Sequence, residues 1–130
     1  MKEKAFDLFV NKMYHCSQAV TGVFNEIIDE KTGRVSGSCF GGGMRKGEMC
    51  GAITGALMVL GMIHGYYDEN DIEHKNESNK IASRFIDEFK NKFGSYNCKD
   101  IKKDRLTCAE YVLFAVEFIE GDLNEQRIPR

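Results

Sequence analysis

The chain has 130 residues, which suits one domain; 42% are hydrophobic and 29% charged, enough to bury a core without disulfide staples. A formal net charge of −2 excludes a uniformly basic nucleic-acid-binding surface, while leaving room for a local basic patch. The longest apolar run, Gly51 to Ile63, is too short and too glycine-rich for the roughly 20 apolar residues that span a bilayer.

Asp7 and Asn11 interrupt the N-terminal apolar residues too early for a signal-peptide core, so a soluble cytoplasmic protein is expected. That compartment is reducing, and five cysteines there are expected to be catalytic, redox-sensing, metal-binding or buried rather than a permanent disulfide framework. The only proline is Pro129, in the tail, and no alternating strand pattern persists. The expected fold is all-α: a single-domain bundle (1–130) of four to five helices, with a glycine-rich connection before a central buried helix.

Phe6, Phe9, Met13, Cys16, Val20, Val23 and Ile27 recur at three- and four-residue steps and predict one helix from Lys4 to Ile28. Asp29 to Gly33 supplies turn chemistry at its end. A long connection follows, Arg34 to Gly47, containing Cys39 and the run Gly41-Gly42-Gly43. Loops of this length in small domains are often functional; the plain alternative is a flexible crossover. A second helix, Glu48 to Gly65, is apolar nearly all round and belongs at the centre. Gly47, Gly51 and Gly55 recur every four residues, and close approach of a neighbouring backbone would compensate the ~1 kcal/mol that each helical glycine costs.

Tyr66 to Asn70 reads as a polar turn. A third helix runs from Ser78, or from as early as Asp71, to Phe93, burying Ile81, Phe85 and Phe89, with Gly94 as its C-cap. The loop Ser95 to Leu106 carries Cys98 among charged residues. The last helix is expected to start with Thr107 as N-cap, Glu110 closing a capping box, Leu106 stapled to Tyr111, and Cys108 as its first residue. It should end at Gly121, leaving a frayed polar tail from Asp122 to Arg130.

Thiols react as thiolates, and helix N-termini favour the thiolate form. Cys50, in the first turn of the second helix, and Cys108, at the start of the last, are therefore the first candidates for reactive thiols. Glu48 and Glu110 oppose the effect. Cys16, on an apolar stripe, reads by itself as a small core residue. Cys98, in a charged loop, is hard to explain as core and suits a pairing or ligand role. No C-x-x-C, ferredoxin spacing or zinc-ribbon pair exists, so any thiol centre must be assembled from distant residues. His15 should point to the surface, His64 should serve the core or a helix end, and His74 should be solvated. The glycine run lacks the P-loop sequence and has no preceding strand.

The chain resembles the C_GCAxxG_C_C redox-active protein family. The resemblance rests on His15-Cys16-Ser17-Gln18-Ala19-Val20, Phe40-Gly41-Gly42-Gly43-Met44, Cys50-Gly51-Ala52-Ile53-Thr54-Gly55, and then Cys98 and Cys108. It implies that Cys16, Cys50, Cys98 and Cys108 are the signature thiols and converge near the glycine loop, with Cys39 as an extra. The expected activity is thiol–disulfide exchange with a redox partner protein. Cys50 or Cys108 would attack, and Cys98 or Cys16 would resolve. Two alternatives stay open. The same four cysteines could hold a zinc ion or an iron–sulfur cluster, or they could be core residues of a non-enzymatic interaction protein.

Overall fold

A computed structural model describes residues 1–127. Among them are seven α-helical segments: α1 (Lys2–Phe6), α2 (Cys16–Thr21), α3 (Glu30–Ser36), α4 (Gly51–His64), α5 (Ile72–Phe93), α6 (Cys98–Ile101) and α7 (Arg105–Arg127). A π-helical turn, Asp7–Asn11, and a largely left-handed turn, Gly43–Gly47, interrupt them. The all-α expectation holds among the described residues, but the chain is more finely broken than a bundle of four to five helices.

The largest departure is at the N-terminus. The apolar stripe from Lys4 to Ile28 does not form one helix. The chain widens into a π turn after Phe6, then breaks at Met13, whose φ is +63°. Extended backbone at His15 starts α2, so Cys16 becomes its first residue. The helix restarts because the Gln18 side chain accepts the His15 amide at 3.0 Å. Asp29, read as a helix end, instead caps a new helix: its carboxylate accepts the Thr32 amide at 3.0 Å and opens α3. Part of the expected glycine-rich loop is therefore helical.

Helix α4 lies at the centre as expected, with Ala52, Ile53, Ala56, Val59 and Leu60 buried. Its glycines divide by role. Gly51 and Gly55 face α2, where a Cβ at Gly55 would sit 2.8 Å from the Ser17 carbonyl oxygen. Gly61 faces open space, and Gly47 lies outside the helix. Helix α5 starts at Asp71, whose carboxylate accepts the His74 amide, and ends at Gly94 in the left-handed region. Phe85, Phe89 and Phe93 of α5 meet Tyr111, Phe114 and Phe118 of α7, with ring centroids 4.7–6.0 Å apart.

The start of α7 differs from expectation. Asp104 caps it, accepting the Thr107 amide at 2.9 Å, so Thr107 and Cys108 lie inside the first turn and Leu106 is exposed rather than stapled. The C-terminal end differs too. The helix continues past Gly121 to Arg127, with Asp122 and Leu123 buried. The remainder of the expected frayed tail, residues 128–130, lies outside the described residues.

Asp122 is buried because His64 needs it. At the C-terminal end of α4, His64 Nε2 lies 2.7 Å from Asp122 Oδ2, and Nδ1 lies 2.8 Å from Glu77 Oε1. The imidazole thus ties α4 to α5 and α7. Burial works against its charge, but the hydrogen bonds to Asp122 and Glu77 outweigh it and the pKa is raised above 6.5. A raised folded-state pKa means that this stabilisation is complete below the unfolded value and fades as pH climbs through the folded one. Urea unfolding should therefore show wild type losing stability from neutral to alkaline pH relative to His64→Gln. Parallel profiles for the two proteins would refute the charged pairing.

Candidate functional site

The thiol site is built where α2, α4, α6 and the start of α7 meet. The N-terminal ends of α2 and α4 lie side by side because Gly51 leaves room: a Cβ there would overlap Cys16 Sγ. Cys50 caps α4 and is 4% exposed. It is therefore at the helix boundary rather than in the first turn.

Cys98 arrives through a contact with no local signature. Met49 and Asn97 form an isolated antiparallel bridge. The Cys50 amide donates to the Tyr96 carbonyl at 2.8 Å, and the Cys98 amide donates to the Glu48 carbonyl at 2.6 Å. Two short segments, each ending in a cysteine, are thus zipped together. The glycine turn makes space for this: Gly43, at φ +61°, would place a Cβ 2.6 Å from that of Cys98. The turn continues left-handed through Met44 and Arg45, with φ of +58° and +63°. Non-glycine residues in that region cost roughly 1 kcal/mol each, so surrounding contacts must hold the turn in place.

Cys108 is fixed by the Lys103 backbone, accepting from its amide at 3.2 Å and donating to its carbonyl at 3.4 Å. All four signature thiols line one cavity of about 440 Å³. Cys39 is exposed and does not line it. The expected convergence is what the structure displays.

The proton affinities of the thiols are uneven. Cys50 donates a hydrogen bond to Cys16, and the amides of Ser17 and Gly42 add to it. Although burial opposes the charge, the Cys16 pKa falls to about 7. Cys50 moves the other way, pushed far up because its proton is held by the bond to Cys16 and because it is buried. Burial and the neighbouring Cys16 charge raise Cys98, with Lys102 partly offsetting them. Cys16, read from the sequence as core, lies instead at the start of α2 beside Cys50, and the proton affinities of the two thiols move in opposite directions.

Residues not foreseen complete the walls. His15, expected at the surface, lines the cavity and packs against Gly41. Tyr111 is buried with its hydroxyl donated to the Ile101 carbonyl at 2.7 Å, and burial followed by the nearby thiols raises its pKa. It is a wall rather than an acid. Arg105 donates to the carbonyls of Phe9 and Tyr14 at 3.1 and 2.9 Å, groups left unpaired by the broken N-terminal helix, and stacks over the Phe9 ring. Neither residue carried a local signal of this role.

The four thiols share the cavity without forming a ligand cage. Among the described residues, no group of three or more His, Cys, Asp and Glu side chains is placed to hold a metal ion. A zinc or iron–sulfur site needs its ligands converging on one point, so the arrangement does not fit the metal alternative. Among the same residues, no helix is long and apolar enough to cross a membrane.

Residues 14–121 match the family described as "Putative redox-active protein (C_GCAxxG_C_C)". The chain belongs to the C_GCAxxG_C_C family. No curated protein and no solved structure matches it. The matched span contains Cys16, Cys50, Cys98 and Cys108, the four thiols that line the cavity.

Proposed function

We propose that this C_GCAxxG_C_C protein is a thiol–disulfide exchange protein in which Cys16 attacks and Cys50 resolves. The observation that carries the reading is that Cys16 and Cys50 line one cavity at the adjoining starts of α2 and α4, with Cys16 Sγ against Gly51, and their proton affinities move in opposite directions. A thiolate near pKa 7 combines a large reactive fraction at neutral pH with good nucleophilicity. Cys16 thiolate attacks one sulfur of a disulfide R–S–S–R′, forming a Cys16–S–R mixed disulfide and releasing R′–S⁻. Cys50 then attacks Cys16 Sγ, its proton passes to the departing R–S⁻, and a Cys16–Cys50 disulfide remains. Two electrons leave the protein and reduce one external disulfide to two thiols. Reversal would let the oxidised protein accept electrons from an external dithiol.

Cys98 and Cys108 are the second thiol pair in this reading. Cys98 is within electrostatic reach of both Cys16 and Cys108, which supports passage of the disulfide inward or outward by further exchange. The external partner is a thiol or disulfide, carried by a protein or a small molecule.

Mild oxidation followed by alkylation and intact-mass measurement tests the proposal. The expected product has lost two hydrogens, and non-reducing digestion yields a peptide joining Cys16 to Cys50. Retention of four free signature thiols under the same oxidation would instead favour the interaction-protein reading with buried cysteines.

A further inference from the structure

The mouth of the thiol cavity is cationic. Arg45, Lys102, Lys103 and Arg105 line it, against a single lining carboxylate, Asp104. Asp104 is engaged at the start of α7, where it accepts the Thr107 amide. Among the described residues, none of the four cations forms a salt bridge with a carboxylate. This contrasts with the chain's net charge of −2 and with the exposed lysines that do find carboxylates, such as Lys4 with Glu30. Arg105 is also pre-positioned: two backbone carbonyls and the Phe9 ring, 4.5 Å away, hold its guanidinium. Unpaired cations around a concave, partly desolvated site raise the local concentration of anions and orient them.

We infer that the external substrate is a small disulfide bearing carboxylate groups. The inference rests on the proposed Cys16 chemistry and adds the class of molecule. The cavity volume, about 440 Å³, lies in the range of small-molecule sites, roughly 300–1,000 Å³. A carboxylate held by Arg105 or by the Lys102 and Lys103 side chains leaves the disulfide sulfurs inside, beside Cys16. The step is the exchange already balanced above: the anionic disulfide is the oxidant, receives two electrons and leaves as two thiols, while Cys16 and Cys50 become the disulfide. The cationic mouth gives the first anionic product a place outside the reacting centre.

The experiment compares two chromogenic disulfides, dithiobis-nitrobenzoate (a dianion) and dithiodipyridine (neutral), on the full chain. The readout is the ratio of their rates at Cys16, which cancels any change in thiolate population. In wild type the ratio should fall several-fold as salt rises from about 0.01 to about 0.5 M, because exposed charges are screened. In the Arg45→Gln/Lys102→Gln/Lys103→Gln triple variant, it should already be about tenfold lower at low salt and insensitive to added salt. A ratio unaffected by salt in wild type, or equal in wild type and variant, overturns the inference. Failure of the underlying chemistry reads differently: dithiodipyridine would then consume thiols of wild type no faster than those of Cys16→Ser, overturning the thiolate assignment and the substrate class with it.

Discussion

Cys16→Ser should abolish the fast thiol. Alkylation of wild type by iodoacetamide should rise with pH through a midpoint near 7. At neutral pH a thiol of that pKa is about half ionised, and an ordinary thiol near 9 is about 1% ionised, a difference of about fifty-fold in nucleophile. The variant should lose the phase titrating near 7. Two changes at Cys50 separate proton donation from resolution. Cys50→Ser keeps an O–H that can donate to Cys16, so the low midpoint should persist, but the mixed disulfide has no resolving sulfur and should accumulate. Cys50→Ala removes the donor, and the midpoint should move up towards 9. An unchanged midpoint in Cys50→Ala would mean that the pair does not share a proton, and the assignment of nucleophile would fail with it.

Gly51→Ala is the second large effect, and it links the fold to the site. Alanine is the better helix former by about 1 kcal/mol, so propensity alone predicts a more stable protein. Packing predicts the opposite. The added methyl would overlap Cys16 Sγ and lie 3.3 Å from both the Phe40 carbonyl oxygen and the Ser17 amide nitrogen. Either α2 moves off α4 or the Cys16 side chain rotates away from Cys50. Overpacking of this kind costs about 1–3 kcal/mol, and the displaced thiol loses the donors that hold its pKa down. Gly61→Ala is the matched comparison, because its Cβ meets nothing within 4 Å. Urea unfolding should show Gly61→Ala stabilised and Gly51→Ala destabilised, and only Gly51→Ala should lose rapid alkylation at neutral pH. Equal gains in stability at both positions would remove the close α2–α4 contact as the basis of the site.

Both results turn on features of unequal visibility in the sequence. The start of helix α5 stayed open between Ser78 and Asp71 until the structure showed Asp71 capping it. Its buried face and C-terminal end were legible because their instructions are local: apolar residues at three- and four-residue steps, and Gly94 to adopt the left-handed exit. Helix α4 was legible for the same reason, and so was the family resemblance, since Cys-Gly-Ala-x-x-Gly is a contiguous string. The stripe from Phe6 to Ile27 was equally periodic and misled. Periodicity reports which face is apolar, and several short helices can bury the same residues as one long one. What favours the break is remote: Arg105 satisfies the carbonyls that the broken helix exposes at Phe9 and Tyr14, residues 96 and 91 positions away.

The cysteine roles followed the same division. Cys50 and Cys108 drew attention because helix starts can be read locally, whereas Cys16 looked like core until the break placed it at a helix start of its own. His64 and Asp122, 58 residues apart, could not be paired from their neighbours along the chain.

By itself, the sequence determined the helical class and the central apolar helix, since each depends on residues within a few turns of one another, and its resemblance to the family marked the four signature cysteines. Tertiary structure alone decided which thiols become neighbours. A thiol's proton affinity depends on the donors and charges within a few ångströms of its sulfur, and for Cys16 these come from Cys50 and Gly42 as well as its own helix.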